Sequence, residues 1–219
     1  MSSDQYQTIE RSSTGEYKDR GSKFMAYAYP AATEQDWQAA LEEVRKLHPK
    51  ARHHCYAFRL GLDGNSFRAN DDGEPSGSAG RPILGQIDSF GLTNVIIIVI
   101  RYFGGTKLGV PGLIAAYKGS ARQALEQAQI VQKSIQKIYR FDFPYSLMSD
   151  VMNAVKKFDA SILQQEFTEA GMLQVAFPRA TAEDEILKIK AHIAKLSVEA
   201  FLQMEKEIPD LQIEYLSTR

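Results

Sequence analysis

The clearest hydrophobic signal in the chain is Val95 to Ile100, six consecutive β-branched aliphatic residues with no polar alternation. Such a run suits a central strand buried on both faces. Ser22 to Tyr29 reads as an earlier strand, broken at Pro30. Thr33 and Asp36 then form a capping pair ahead of Trp37, Ala40, Leu41, Val44 and Leu47, which recur at helical spacing until Pro49. HHCYAFRL, His53 to Leu60, alternates as a strand with His54, Tyr56, Phe58 and Leu60 on one face. Asp63-Gly64 supplies hairpin chemistry, and SFRAN returns as a short strand. NDDGEPSGSAGRP is a loop by composition. A short helix follows with Ile83, Leu84, Ile87 and Phe90 inside and Gly91 as its stop. Beyond the aliphatic run, RYFGGTKLGVPGL leads into a helix whose inner face carries Leu113, Ile114, Tyr117, Ala121, Ala124, Leu125 and Ala128, with Pro111 in its first turn.

From about Lys133 the pattern changes. Tyr139 to Phe143 reads as a strand closed by Pro144. Ser146 is placed to cap a helix carrying Leu147, Val151, Ala154, Val155 and Phe158. Ser161 to Phe167 and Met172 to Phe177 flank a turn at Glu169, Ala170 and Gly171. Thr181 and Asp184 open a second helix through Ile186, Ile189, Ile193 and Leu196, and a last strand is expected near Val198 to Met204. This β-α-β-β-α-β order is that of a ferredoxin-like unit. The chain thus reads as an α/β (α+β) protein of two domains, residues 1–134 and 135–219.

Composition narrows the function classes. The 219 residues carry a formal net charge of −1, so no global field steers the protein toward nucleic acid or membrane. The single cysteine, Cys55, excludes an internal disulfide and a cysteine-based zinc site. No aliphatic run approaches the roughly 20 residues of a bilayer span. The N-terminus lacks a signal-peptide core, so a cytoplasmic location without membrane contact is expected. Locally the charge is uneven. No acid occurs between Asp88 and Glu126, whereas Arg101, Lys107, Lys118 and Arg122 all fall there.

Candidate chemistry concentrates in three segments. The glycine-rich loop at Gly104 and Gly105 can present backbone N–H groups to an anion, with Arg101 and Lys107 adding charge. Neither GxxxxGK[ST] nor GxGxxG is present. The glycines equally suit a tight strand-to-helix crossover that requires positive φ or close backbone approach. The acidic segment Asp71, Asp72, Gly73, Glu74 can bind a hard cation or form a solvated turn that starts the next helix. His53 and His54 point to opposite faces of a strand, so they cannot readily share a metal, and none is expected. His54, Asp72 and Glu74 are the candidates for acid–base chemistry; a core role for His54 is the alternative. Lys118 and Arg122, at i and i+4, mark one basic helix face, read either as solvated or as a docking surface.

Taken together, ARHHCYAF, NDDGEPSGSAGRPIL and VIRYFGGTKLGVPGLIAAYKGSARQAL resemble the IMPACT family, bacterial YigZ-type branch, with the resemblance covering nearly the whole chain. The family pattern picks out His53, His54, Asp71, Asp72, Gly73, Glu74, Pro75, Gly80, Arg101, Tyr102, Gly104, Gly105, Leu108, Gly109, Gly112 and Leu113 here. The resemblance implies a first domain similar to a ribosomal-protein fold shared with domain IV of elongation factor G. It implies a ferredoxin-like second domain similar to the C-terminal domain of that factor. Eukaryotic relatives act in translational control during amino-acid starvation, through an additional N-terminal domain. Members have also been labelled dipeptidases, but no metallopeptidase ligand set is visible. The expected function is therefore RNA or ribosome binding in a translation-related or stress-related role, with a possible protein partner in the translation machinery and no cofactor. The alternatives are a small hydrolase or transferase near His53/His54, and a protein-docking module using the second domain's sheet.

Overall fold

The structure is a computed structural model that describes residues 4–158, 160–203 and 207–219. The chain divides into two compact units. One is Tyr6–Lys133; the other is Ser134–Arg219 together with Asp4 and Gln5. A boundary at 134 alone does not provide for those N-terminal residues. They group with the second unit because the Ile135 amide donates to the Asp4 carbonyl at 2.8 Å and Arg179 Nε donates to the Asp4 carboxylate at 2.8 Å.

The elements of the first unit are β1 (Gln5–Ile9), β2 (Ser13–Asp19), β3 (Ser22–Pro30), α1 (Glu34–Leu47), β4 (His53–Leu60), β5 (Ser66–Asn70), α2 (Gly80–Ser89), β6 (Val95–Tyr102), α3 (Gly109–Glu126) and β7 (Ile130–Ser134). β1 and β7 pair with each other. The other five strands form one sheet in the order β2-β3-β6-β4-β5, with every neighbouring pair antiparallel. β6 is its centre, and the run of β-branched residues serves two cores at once. Val95, Ile97 and Val99 enter the core beneath α2 and α3, while Ile96, Ile98 and Ile100 enter the core beneath α1. Burying each such side chain contributes about 1.5–3 kcal/mol, and alternation along a strand divides that contribution between the two faces.

The two faces differ in side-chain size. Toward α2 and α3, β3 and β4 present Ala26, Ala28, Cys55 and Ala57, which let the helices approach closely. The approach is tightest where β2 meets α3: a Cβ on Gly15 would lie 2.4 Å from the Ala124 amide nitrogen. Toward α1 the residues are large, and Trp37 stacks on Tyr56 and Phe58 at centroid distances of 5.7 and 5.1 Å. α1 starts at a capping box in which Thr33 Oγ1 accepts from the Asp36 amide and the Asp36 carboxylate accepts from the Thr33 amide. Two expected inner positions are exposed. Leu47, at 57 %, is the last residue of α1, one turn beyond Val44, and Ile114 lies at the edge of the α3 stripe.

In the second unit, β8 (Gln136–Phe143), a 3-10 turn at Tyr145–Leu147, α4 (Met148–Lys157), β9 (Ser161–Phe167), β10 (Gly171–Pro178), α5 (Ala182–Ile193), α6 (Val198–Gln203) and β11 (Gln212–Thr218) follow one another. The sheet order is β11-β8-β10-β9, antiparallel throughout. Tyr139, Phe141 and Phe143 with Leu173, Val175 and Phe177 face Val151, Val155, Ile189 and Ile193 of the helices. Three expectations need correction. The segment beginning at Val198 is a helix, not the last strand; its start is set by Ser197, whose hydroxyl accepts from the Ala200 amide. Met204 lies outside the described residues. The closing strand is β11. Ser146 sits within the 3-10 turn and does not cap α4, whose N-cap is Leu147. Leu196 lies beyond the end of α5.

Replacing Thr33 with alanine removes one half of the capping box. We expect Thr33→Ala to lower stability by about 1 kcal/mol, read as a shift of the urea midpoint at unchanged slope.

Candidate functional site

The acidic turn is built by its own carboxylates. The Asp71 side chain accepts from the amides of Gly77, Ala79 and Gly80, at 2.8, 3.0 and 2.8 Å. It thus caps α2, whose N-cap Ala79 has no side chain able to do so. Burial pushes the Asp71 carboxyl up. The three amides and the nearby Arg81 outweigh it and hold the group below the ordinary aspartate range. Asp72 lies in the left-handed region at φ 41°, next to Gly73 at φ 85°. Its strained backbone is secured by three contacts. Its amide donates to Asn70 Oδ1, its carboxylate accepts from the His54 amide, and its carbonyl accepts from His53 Nδ1.

Glu74 reaches inward. Its Oε1 accepts from Arg101 Nη1 at 2.8 Å and from the Tyr117 hydroxyl at 2.9 Å, and the side chains of Glu74 and Arg101 are only 4 % and 11 % exposed. The Cys55 thiol lies 3.0 Å from the Asp71 carbonyl and 3.3 Å from the Tyr117 hydroxyl. Burial pushes both the Cys55 thiol and the Tyr117 hydroxyl well above their ordinary ranges, so neither is a nucleophile near neutral pH. The Arg101 guanidinium carbon also lies over the rings of Phe24 and Phe103, 5.5 Å from each centroid.

The histidines separate as the strand alternation requires. His54 is 8 % exposed on the α1 side, and its Nε2 has no hydrogen-bond partner. Burial lowers its pKa, against the raising effect of Asp72. The Asp72 carboxylate engages the backbone of His54, not its ring, and Glu74 lies on the opposite, Cys55 side of the sheet. His54, Asp72 and Glu74 therefore do not converge on a common point. Among the described residues no cluster of three or more His, Cys, Asp or Glu side chains could hold a metal. His53 is different. A carbonyl can only accept, so the 2.7 Å contact with the Asp72 oxygen assigns the proton of the neutral ring to Nδ1 and leaves Nε2 an acceptor.

The glycine loop meets its backbone demands first. A Cβ on Gly104 would lie 1.9 Å from the Gly21 carbonyl carbon, and the Gly104 amide donates to Ser22 Oγ at 3.1 Å. Gly105, at φ 89°, faces open space. Beside this loop lies a pocket of about 460 Å³ lined by Lys50, Arg52, His53, Arg101, Tyr102, Phe103 and Lys107. It arises because β4 begins where β6 ends, with His53 paired directly to Arg101. No carboxylate lines it. Arg101 is neutralised by Glu74, so the free positive charge comes from Lys50, Arg52 and Lys107. Lys118 is exposed on α3 and is not part of the pocket lining, and Arg122 pairs with Glu126 at 2.7 Å. Sequence reasoning missed Lys50, Arg52 and Phe103. The available signal was the basic run Lys50-Ala51-Arg52 directly before the histidine pair.

The fold and this site define a mixed α/β protein with an acidic turn locked onto the end of a central strand beside a cationic pocket. Residues 20–125 match the family described as the Impact N-terminal domain. The IMPACT family member YigZ of Escherichia coli is 34 % identical over 154 residues, covering 69 % of this chain and 76 % of that protein. The IMPACT family member YvyE of Bacillus subtilis is 31 % identical over 164 residues, covering 75 % and 76 %. A crystal structure described as that of a hypothetical protein matches with a TM-score of 0.72 and 28 % identity, covering 98 % of both chains. The chain belongs to the IMPACT family, YigZ-type branch.

Two outcomes test this geometry. Glu74→Gln keeps the shape but removes the charge that compensates buried Arg101, and it should lower stability by about 3 kcal/mol in urea unfolding. Asp71 has a folded-state pKa below its unfolded value. Its contribution is therefore complete above the unfolded pKa of about 4 and is lost as pH falls through the folded value. Asp71→Asn should flatten that acid-side loss, measured as urea midpoints across a pH series.

Proposed function

We propose that this protein is a cytoplasmic, translation-related regulator that binds RNA, free or within the ribosome, through the pocket beside the glycine loop. The observation that carries the reading is the acid-free lining of that pocket by Lys50, Arg52, His53, Arg101 and Lys107. A net charge near zero gives no general attraction to phosphate, so a local concentration of unpaired cations is what such binding requires. The internal use of Asp72 and Glu74 favours binding over hydrolysis, because each carboxylate already accepts from a group of the protein itself. The regulatory role is the one implied by the family resemblance.

The likeness to translation-factor domains belongs to the same proposal. For residues 135–219, a ferredoxin-like assignment is supported by the β-α-β-β-α-β order and the strand order β11-β8-β10-β9. For residues 1–134, the assignment to the fold shared with elongation factor G domain IV rests on the resemblance of the three motifs. A protein-docking role has its own supporting observation: β9 is exposed along its whole length, carries Ile162, Leu163 and Phe167, and pairs only with β10 among the described residues. Capture of a partner that survives nuclease treatment would favour that role.

Equilibrium binding to a short unstructured RNA across a salt series tests the RNA reading. Affinity should fall steeply with salt. Neutralising three phosphate contacts with Lys50→Gln, Arg52→Gln and Lys107→Gln together should reduce the log–log slope by about 2, given roughly 0.7 per contact on a single strand. Undetectable binding at low salt, or an unchanged slope, would overturn it.

A further inference from the structure

We propose that the pocket is a subsite for one unstacked nucleotide of single-stranded RNA, with its base against Phe103 and its phosphates on Lys50, Arg52 and Lys107. This rests on the RNA reading above and adds the form of RNA that the site selects. Three observations lead to it. Phe103 is 60 % exposed, yet it lies in the wall of a pocket whose free charges are all cationic. The Arg101 guanidinium carbon stands 5.5 Å from the Phe103 ring centroid, and Arg101 is itself fixed by Glu74. The ring therefore has a backing on one side while most of its surface stays open to solvent. An aromatic surface held in place beside phosphate-binding charges is the arrangement that takes an unstacked base, because every base has a π-face.

Size and hydrogen-bonding capacity agree. About 460 Å³ falls in the range of small-molecule sites and suits one nucleotide better than a helix. A duplex keeps its bases stacked and offers the pocket phosphates alone, so it cannot use Phe103. The lysine and arginine side chains of the lining only donate. The Tyr102 hydroxyl is engaged with His48 Nδ1 at 3.0 Å. His53 Nε2 adds a nitrogen acceptor to this wall, since its Nδ1 proton is held by the Asp72 carbonyl. It suits a donor such as a ribose hydroxyl or the amino edge of a base.

The test compares the full chain and two variants, Phe103→Leu and Phe103→Tyr, in fluorescence anisotropy at one fixed salt concentration. The probes are an unstructured single-stranded RNA and the same sequence annealed to its complement. Wild type should bind the single strand more tightly. Phe103→Leu should weaken single-strand binding about 10-fold while leaving duplex binding unchanged, as expected for loss of one base–aromatic stack. Phe103→Tyr should retain it. Because Phe103 is exposed apart from its contact with Arg101, the leucine variant should stay folded with only a small fall in the urea midpoint, which is measured alongside. Equal affinity for the two RNA forms, or an equal loss on both from Phe103→Leu, would overturn the subsite while leaving the RNA reading intact. Absence of binding to either form would overturn the RNA reading itself.

Discussion

The ion pair between Glu74 and Arg101 is the contact on which the geometry of the first unit's site depends. Two opposite charges have been taken out of water together, and such a pair stabilises only when its remaining hydrogen-bonding capacity is met. Glu74 meets this condition through a second donor, the Tyr117 hydroxyl, which ties the acidic turn to α3 as well as to β6. The Arg101 guanidinium carbon lies over the rings of Phe24 and Phe103, 5.5 Å from each centroid, while Nη1 carries the carboxylate. One buried nitrogen, Arg101 Nε, stays without a partner, which makes the pair's remaining contacts all the more consequential.

The position of that pair organises the rest of the site. With Glu74 drawn inward, the preceding residues must turn sharply, and Asp72 and Gly73 take the left-handed conformation. That turn points the Asp72 carbonyl at His53 and the Asp71 carboxylate at the start of α2. Three acidic residues in four positions thus serve three separate structural tasks. The same pairing removes Arg101 from the pocket's free charge. What remains there is Lys50, Arg52 and Lys107 around an open phenylalanine, so the surface is cationic although the chain as a whole is nearly neutral.

Elements whose pattern reports burial directly were legible in the sequence. β6 is one, because six β-branched residues without polar interruption have no favourable exposed conformation. The α1 cap is another, since the Thr33–Asp36 pair satisfies local amides whatever lies around it. The segment from Val198 was misleading because its Val and Phe suit a strand, whereas Glu199, Ala200, Leu202 and Gln203 favour a helix and the Ser197 hydroxyl caps its first turn. Ser146 shows the converse: a residue type suited to capping was present, but the chain left Pro144 through a 3-10 turn and started the helix further on. In the site, the glycine loop and the acidic turn could be located, but their partners could not, because the decisive bonds join residues 27 and 43 positions apart.

By itself, the sequence determined the central strands and the main helices of both units, that β6 is buried on both faces, that His53 and His54 point to opposite sides, and to which family the chain is similar; β1, β2, β7 and β11, which lack a run of inward apolar residues, were not read from it. Those properties follow from periodicity, local capping and motif order, all of which act over a few residues. Only the tertiary structure decided that Glu74 neutralises Arg101 and that Lys50 and Arg52 stand beside Lys107 and Phe103. The reason is that charge has no directional signature along a chain. Whether an arginine faces phosphate or a buried carboxylate depends on what the sheet register brings next to it, and that register is settled by packing between distant segments.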